Sequence, residues 1–180
     1  MRSIPGMVVM SPADDVETRA MVKAAYEHKG PVYMRFSRFG APAIHGDGFT
    51  FEIGKGEVMR DGSDVAIIAN GLLVAEALEA ANILAEQGIE ARVIDMATIK
   101  PLDEELVLKA ARECKKIVTC EEHSVIGGFG EAVCTVIAQH GLACPVERVG
   151  VNDEFGHSGP AGALLKQFGL CAEHIAQVAT

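Results

Sequence analysis

Between residues 52 and 180, short apolar runs alternate with segments whose apolar residues recur at helical spacing, and this alternation narrows the choice of fold more than any other feature. Asp64-Val65-Ala66-Ile67-Ile68-Ala69, Ala91-Arg92-Val93-Ile94-Asp95, Lys116-Ile117-Val118-Thr119-Cys120 and the run from Pro145 to Val149 each read as a strand. A helix over about 72–87 puts Leu73, Ala77, Ala80 and Leu84 on one face and stops at Gly88. Pro101 opens the next helix, with Asp103, Glu104 and Glu105 at its positive end. Gly128 to His140 is a third helix, and two short ones follow near 160–168 and 172–179. Strands separated by helices pair in parallel and need cover on both faces, because the crossovers lie on those faces. Asp61-Gly62, between Gly56-Glu57-Val58-Met59-Arg60 and the run 64–69, predicts a hairpin. The expected fold is therefore α/β: a mostly parallel sheet with an antiparallel edge and helices on both faces.

Residues 1–38 form a smaller unit with a β-α-β pattern. Met7-Val8-Val9-Met10 is a short strand. Ser11-Pro12-Ala13-Asp14 supplies an N-cap, a proline in the first turn and a capping-box acid. Val16, Ala20 and Ala24 recur at helical spacing up to Gly30, and residues 31–38 read as a second strand. Two strands and a helix are too little for a core, so this unit must present a sheet edge to neighbours. Residues 39–51 have linker composition, with Gly40, Pro42, Gly46 and Gly48 and no periodicity, and they separate the unit from residues 52–180.

The formal net charge is -9. Nucleic-acid partners and anionic membranes both call for clustered Lys and Arg, and this balance excludes them. No apolar run approaches the roughly 20 residues of a spanning helix. The five cysteines, at 114, 120, 134, 144 and 171, form no C-x-x-C pair and sit in apolar or helical contexts. They read as reduced, mostly buried thiols of a cytoplasmic protein rather than as a zinc site.

Three clusters carry possible chemistry. Glu121-Glu122-His123 with Gly127-Gly128-Phe129-Gly130 begins at the carboxyl end of a strand, where open α/β sheets bind ligands. Its glycines suit an anion at a helix start, or simply close packing of the helix, which the loose G-G-x-G pattern favours. Gly46-Asp47-Gly48 invites a metal reading, but it lies in the linker, and Asn70 is the only Asn within reach, so a turn is expected. Arg35 and Arg38 stand at the end of the second strand, where a guanidinium can grip an anionic substrate or form a surface salt bridge. Spacing alone favours the salt bridge. His157 and Ser158 lack a nucleophile elbow, and Ser158 reads as a helix N-cap before Pro160. His28, His45, His140 and His174 show no pattern.

Taken in order, several stretches resemble the transketolase superfamily. They are Arg2-Ser3-Ile4-Pro5-Gly6 to Ser11-Pro12-Ala13-Asp14, Gly30-Pro31-Val32-Tyr33-Met34-Arg35-Phe36-Ser37-Arg38, Asp64 to Gly71, Thr98-Ile99-Lys100-Pro101-Leu102-Asp103, Glu121-Glu122-His123 with Gly127 to Gly130, and Phe155-Gly156-His157-Ser158-Gly159. Ser37-Arg38 and Phe155-Gly156-His157-Ser158-Gly159 most resemble the C-terminal section of a split transketolase. The alternatives are the matching part of a deoxyxylulose-phosphate synthase or of a 2-oxo acid dehydrogenase β-chain. A free-standing flavodoxin-like anion-binding module stands apart from these and leaves residues 1–38 unexplained.

The resemblance implies that 1–38 is the last β-α-β of a pyrimidine-binding domain and 52–180 a C-terminal domain. The parent assembly would use thiamine diphosphate and Mg²⁺ to move a two-carbon ketol unit between sugar phosphates. The family's activating glutamate and its diphosphate-binding domain have no counterpart here. The resemblance therefore implies no catalytic, cofactor or metal residue in this chain, no bound cofactor and no activity in isolation. It implies Arg38 as a sugar-phosphate contact, a homodimeric association, and a partner that carries the thiamine-diphosphate-binding domain.

Overall fold

The computed structural model describes all 180 residues. The larger unit is a five-stranded sheet built from β3 (Glu57–Arg60), β4 (Val65–Ala69), β5 (Ala91–Asp95), β7 (Lys116–Ser124) and β8 (Val146–Val151). Its strand order is β3-β5-β4-β7-β8, antiparallel at β3–β5 and parallel elsewhere. Every residue of β4 and β5 is buried, which is why β4 is a continuous apolar run and β5 carries apolar residues on both faces, broken only by Arg92 and Asp95. Val65, Ile67 and Ala69 pack with α2 (Leu73–Glu86) and α6 (Ala172–Ala179). Ala66 and Ile68 pack on the opposite face with α3 (Glu104–Glu113) and α4 (Phe129–Gln139). The mostly parallel sheet, its antiparallel edge and its helices on both faces are as the sequence predicts.

The Asp61-Gly62 hairpin is not formed. β3 pairs with β5, Glu57 opposite Asp95, so β5 lies between β3 and β4. The chain must cross the start of β5 to get from one to the other, and Gly62 is the crossing point. A Cβ there would stand 2.4 Å from the Ala91 carbonyl carbon and 2.6 Å from the Arg92 nitrogen. Glycine is needed here for close approach of two backbones, not for a tight turn.

The smaller unit comprises β1 (Val8–Met10), α1 (Asp15–Glu27) and β2 (Val32–Met34). β1 pairs in parallel with β2 and antiparallel with β6 (Thr98–Lys100), which comes from the segment before α3. β1 is thus the central strand, closed on both sides from within the chain, and the outer edges of β2 and β6 stay unpaired. The second strand is shorter than residues 31–38, so Arg35 and Arg38 follow it.

Three helix starts differ from their sequence signals. α1 is capped by Asp14 rather than Ser11: Asp14 Oδ1 accepts from the Glu17 N–H at 2.8 Å, and a Glu17 carboxylate oxygen accepts from the Ala13 N–H at 2.7 Å. The two overlapping patterns S-x-x-D and D-x-x-E both describe a capping box, and the second wins. α3 starts at Glu104, with Asp103 as its cap rather than Pro101 as its first residue. α5 (Ala161–Gln167) starts after Pro160, and Ser158 does not cap it. All five cysteines are free thiols, and no helix is long and apolar enough to cross a membrane.

Candidate functional site

The carboxyl ends of β1, β4 and β7 converge where the two units meet. Arg35 fills this point. Its guanidinium donates to the Glu122 carbonyl on β7, to Ser11 Oγ at 3.4 Å and to Asn70 Oδ1 at 3.5 Å. Gly71 follows Asn70 with φ +60°, and its N–H donates to the Ser11 carbonyl at 3.2 Å. A Cβ at Gly71 would come within 2.8 Å of Ser11 Oγ. Arg35 is therefore engaged by protein acceptors from three segments and acts as a clasp between the units, not as a substrate ligand. Asn70 is fully buried, and its amide nitrogen has no partner.

Arg38 is placed differently. It is exposed and lines a cavity of about 600 Å³ with Glu122, Gly156, His157, Ser158 and Leu164. No acceptor within the chain holds its guanidinium. His157 stacks on Phe168, ring centres 5.7 Å apart, which fixes one wall. The two stretches the sequence marks most strongly, Ser37-Arg38 and Phe155 to Gly159, thus meet across one cavity although more than 110 residues separate them. Glu122 is the opposing charge. Burial raises its carboxyl pKa, and the nearby Arg35 works against that rise.

At 121–130 the anion at the helix start belongs to the chain. Glu121 is buried, and its carboxylate accepts from the Phe129 N–H at 2.6 Å and the Gly130 N–H at 2.8 Å, so it caps α4. Burial raises its pKa, and these two N–H groups pull it back. The glycines serve packing: a Cβ on Gly128 would reach 2.4 Å from Glu121 Oε2 and from the Ser124 carbonyl. Arg2 covers the loop from outside, donating to the Gly127 and Gly128 carbonyls.

The linker brings an unforeseen group together. His45 is buried; Nδ1 lies 3.1 Å from Asp14 Oδ2, and Nε2 lies 3.6 Å from both Asp95 Oδ2 and Glu57 Oε2. None of these contacts is aligned as a hydrogen bond, and both ring nitrogens and both Asp95 oxygens lack partners. Burial raises the Glu17 carboxyl to about 7 and the Asp95 carboxyl well above its usual range. Sequence reading could not find this group. Its members come from α1, the linker, β3 and β5, so no local spacing links them. Asp47, by contrast, is exposed in a turn closed by the Phe49 N–H on the Gly46 carbonyl at 3.3 Å.

The architecture defines the class: a doubly covered α/β domain carrying a second, small mixed sheet, with its clefts at the carboxyl ends of the strands. The family model described as "Transketolase, C-terminal domain" matches residues 54–175, and that of the "Transketolase, pyrimidine binding domain" matches residues 1–42. The chain belongs to the transketolase family. It is 49% identical over 179 residues to a transketolase C-terminal section of Methanocaldococcus jannaschii, covering 98% of this chain and 56% of that one. It is 41% identical over 181 residues to the 1-deoxy-D-xylulose-5-phosphate synthase of Heliobacterium modesticaldum, covering 99% of this chain and 28% of that one. A solved split-gene transketolase, an inactive β4 tetramer, superposes with a TM-score of 0.94 at 47% identity, covering 99% of this chain and 58% of that one. The chain thus spans little more than half of the first relative.

The family implies thiamine diphosphate with Mg²⁺, and two stretches that invite its metal and diphosphate end do not fit that end. Asp47 of the Gly-Asp-Gly turn is exposed and stands apart from the one compact group of metal-ligating side chains, Glu17, His45 and Asp95. The helix start at Phe129, which could have held a phosphate, is taken by Glu121.

Proposed function

We propose that this chain is the C-terminal portion of a transketolase that transfers a two-carbon ketol unit between sugar phosphates, and that it contributes assembly surface and one phosphate contact, Arg38. The observation that carries this reading is the placement of an uncommitted arginine across a cavity from the His157-Ser158-Gly159 loop. Thiamine diphosphate and Mg²⁺ would be held by an N-terminal partner in a cytoplasmic assembly, where the thiazolium stabilises the carbanion. Alone, the chain should bind no thiamine diphosphate at micromolar concentration by calorimetry. Mixed with the N-terminal chain of a split transketolase, cofactor and Mg²⁺, it should support transfer from a ketose phosphate to an aldose phosphate. Decarboxylation of pyruvate in that mixture, without ketol transfer, would show a deoxyxylulose-phosphate synthase instead. Micromolar cofactor binding by the chain alone would overturn the division of labour.

The partner set includes further copies of the chain. The outer edge of β2 is unpaired, and Val22, Tyr26, Phe36 and Phe39 are exposed around the small unit. A solved relative forms a β4 tetramer. Sedimentation at tens of micromolar should therefore show a dimer or larger species, and a clean monomer would count against self-association.

A further inference from the structure

We propose that Glu17, His45 and Asp95 form a binding site for one divalent transition-metal cation, zinc-like in its preferences, that fastens the small unit to the large sheet. One ligand atom from each residue lies within 4.8 Å of the others. His45 Nε2 and Asp95 Oδ2 are 3.6 Å apart, close to the ~3.4 Å edge of a tetrahedron with metal–ligand bonds of about 2.1 Å. Glu57 Oε2, also 3.6 Å from Nε2, stands ready as a fourth ligand or as a partner for bound water.

A group of acids alone would not make a site. What points to a ligand is the orphaned imidazole: the His45 side chain is 2% exposed, yet neither of its ring nitrogens has a hydrogen-bond partner. Buried polar atoms of this kind are rare without an unseen water or ion. Charge agrees, because Asp14, Glu17 and Asp95 surround one imidazole with no Lys or Arg among them. A divalent cation would take the place of the proton that burial otherwise leaves on such carboxyls.

The surroundings are those of a metal centre. Asp14 Oδ2 receives the backbone N–H groups of Ile44 and His45, both at 2.8 Å, which fixes the linker and holds the His45 ring beside a second carboxylate. Glu17 is anchored by the Ala13 N–H, and the Phe49 ring covers the imidazole at 4.2 Å. A cavity of about 450 Å³ lined by Glu17, Glu57, Asp95 and Lys55 gives a path from solvent. One nitrogen with two or three oxygens suits zinc or a neighbouring first-row ion better than Mg²⁺, which favours an all-oxygen shell rich in water. The three ligands belong to α1, the linker and β5, so a bound ion would cross-link all three.

The test is titration of the full, chelator-treated chain with Zn²⁺, followed by calorimetry and thermal melting. One equivalent should bind at micromolar Kd or tighter and raise the melting temperature. His45→Ala and Asp95→Asn should each weaken that binding at least ~100-fold, a deeper loss than removing an outer-shell partner gives. Co²⁺ in place of zinc should give visible absorption bands of a low-coordinate site, and these should vanish in His45→Ala. If either variant fails to fold, the Co²⁺ spectrum of the unaltered chain decides, and a six-coordinate aqua-like spectrum overturns the proposal. Binding equal in the unaltered chain and His45→Ala, or a preference for Mg²⁺ over Zn²⁺, overturns it as well.

Discussion

Gly62→Ala should lower the melting temperature of this chain by roughly 4–12 °C. The added Cβ meets three backbone atoms of β5 at 2.4, 2.6 and 2.7 Å, below any real contact distance, and none of them is the end of a flexible side chain. The crossing cannot simply lift away, because it is pinned on both sides. Arg92 Nε donates to Asp61 at 2.9 Å, the Asp64 N–H donates to the Glu90 carbonyl at 2.9 Å, and Asp64 Oδ2 accepts from the Glu90 N–H at 2.9 Å. Forced overpacking costs about 1–3 kcal/mol, and backbone clashes on this scale belong in the upper part of that range. At ~2–4 °C per kcal/mol for a chain of this size, 2–3 kcal/mol gives the stated loss. Gly162→Ala is the control: it lies in α5, nothing stands within 4 Å of its Cβ, and helix propensity favours alanine by up to about 1 kcal/mol. Calorimetric melts should separate the two variants in opposite directions. If Gly62→Ala melted with the parent, β3 would not reach its place by crossing β5.

The same residue shows where sequence reading stopped. Strands β4, β5 and β7 were legible because burial on both faces places apolar residues side by side along the strand, a local property. Pairing order is not local. Asp61-Gly62 carries the same composition whether it turns a hairpin or crosses over a strand, and only the position of Ala91, 29 residues later, decides between them. β6 was hidden for a similar reason. Thr98-Ile99-Lys100 is too short to show a period, and what makes it a strand is its partner, β1, about 90 residues earlier. That pairing also supplies the neighbour which the small unit was expected to seek.

At the candidate sites the split follows the same line. Glu121 stood out as a charge at a strand end before a glycine-rich helix start, yet its role as the cap of α4 needed the geometry of the turn between them. Arg35 and Arg38 looked equivalent by composition. The structure gives Arg35 three acceptors and leaves Arg38 none, a difference that depends on Ser11, Asn70 and Glu122 arriving from three distant segments. His45 carried no signal at all, because each of its carboxylate neighbours is at least 12 residues away in sequence.

Arg38→Ala, made in the reconstituted enzyme, is expected to raise KM for phosphorylated sugars by roughly 10- to 150-fold. A charge-assisted, bidentate contact to phosphate contributes about 1.5–3 kcal/mol, and 1.4 kcal/mol is a factor of ten. Arg38 suits the role because its guanidinium keeps all its donors for a ligand, and because the cavity it faces, about 600 Å³, can take a sugar phosphate. Unphosphorylated sugars should be almost unaffected, which separates recognition of the phosphate from damage to the fold. Arg38→Lys should recover only part of the loss, since an ammonium replaces the planar fork with a point charge. Arg35→Ala should behave in the opposite way. It removes donors to Glu122, Ser11 and Asn70, so it should lower the melting temperature and depress turnover alike on both kinds of sugar. The measurement is KM and kcat on a matched pair of phosphorylated and unphosphorylated acceptors for the three variants. Equal losses on both acceptors for Arg38→Ala would make Arg38 a structural residue and would move the phosphate site elsewhere in the assembly.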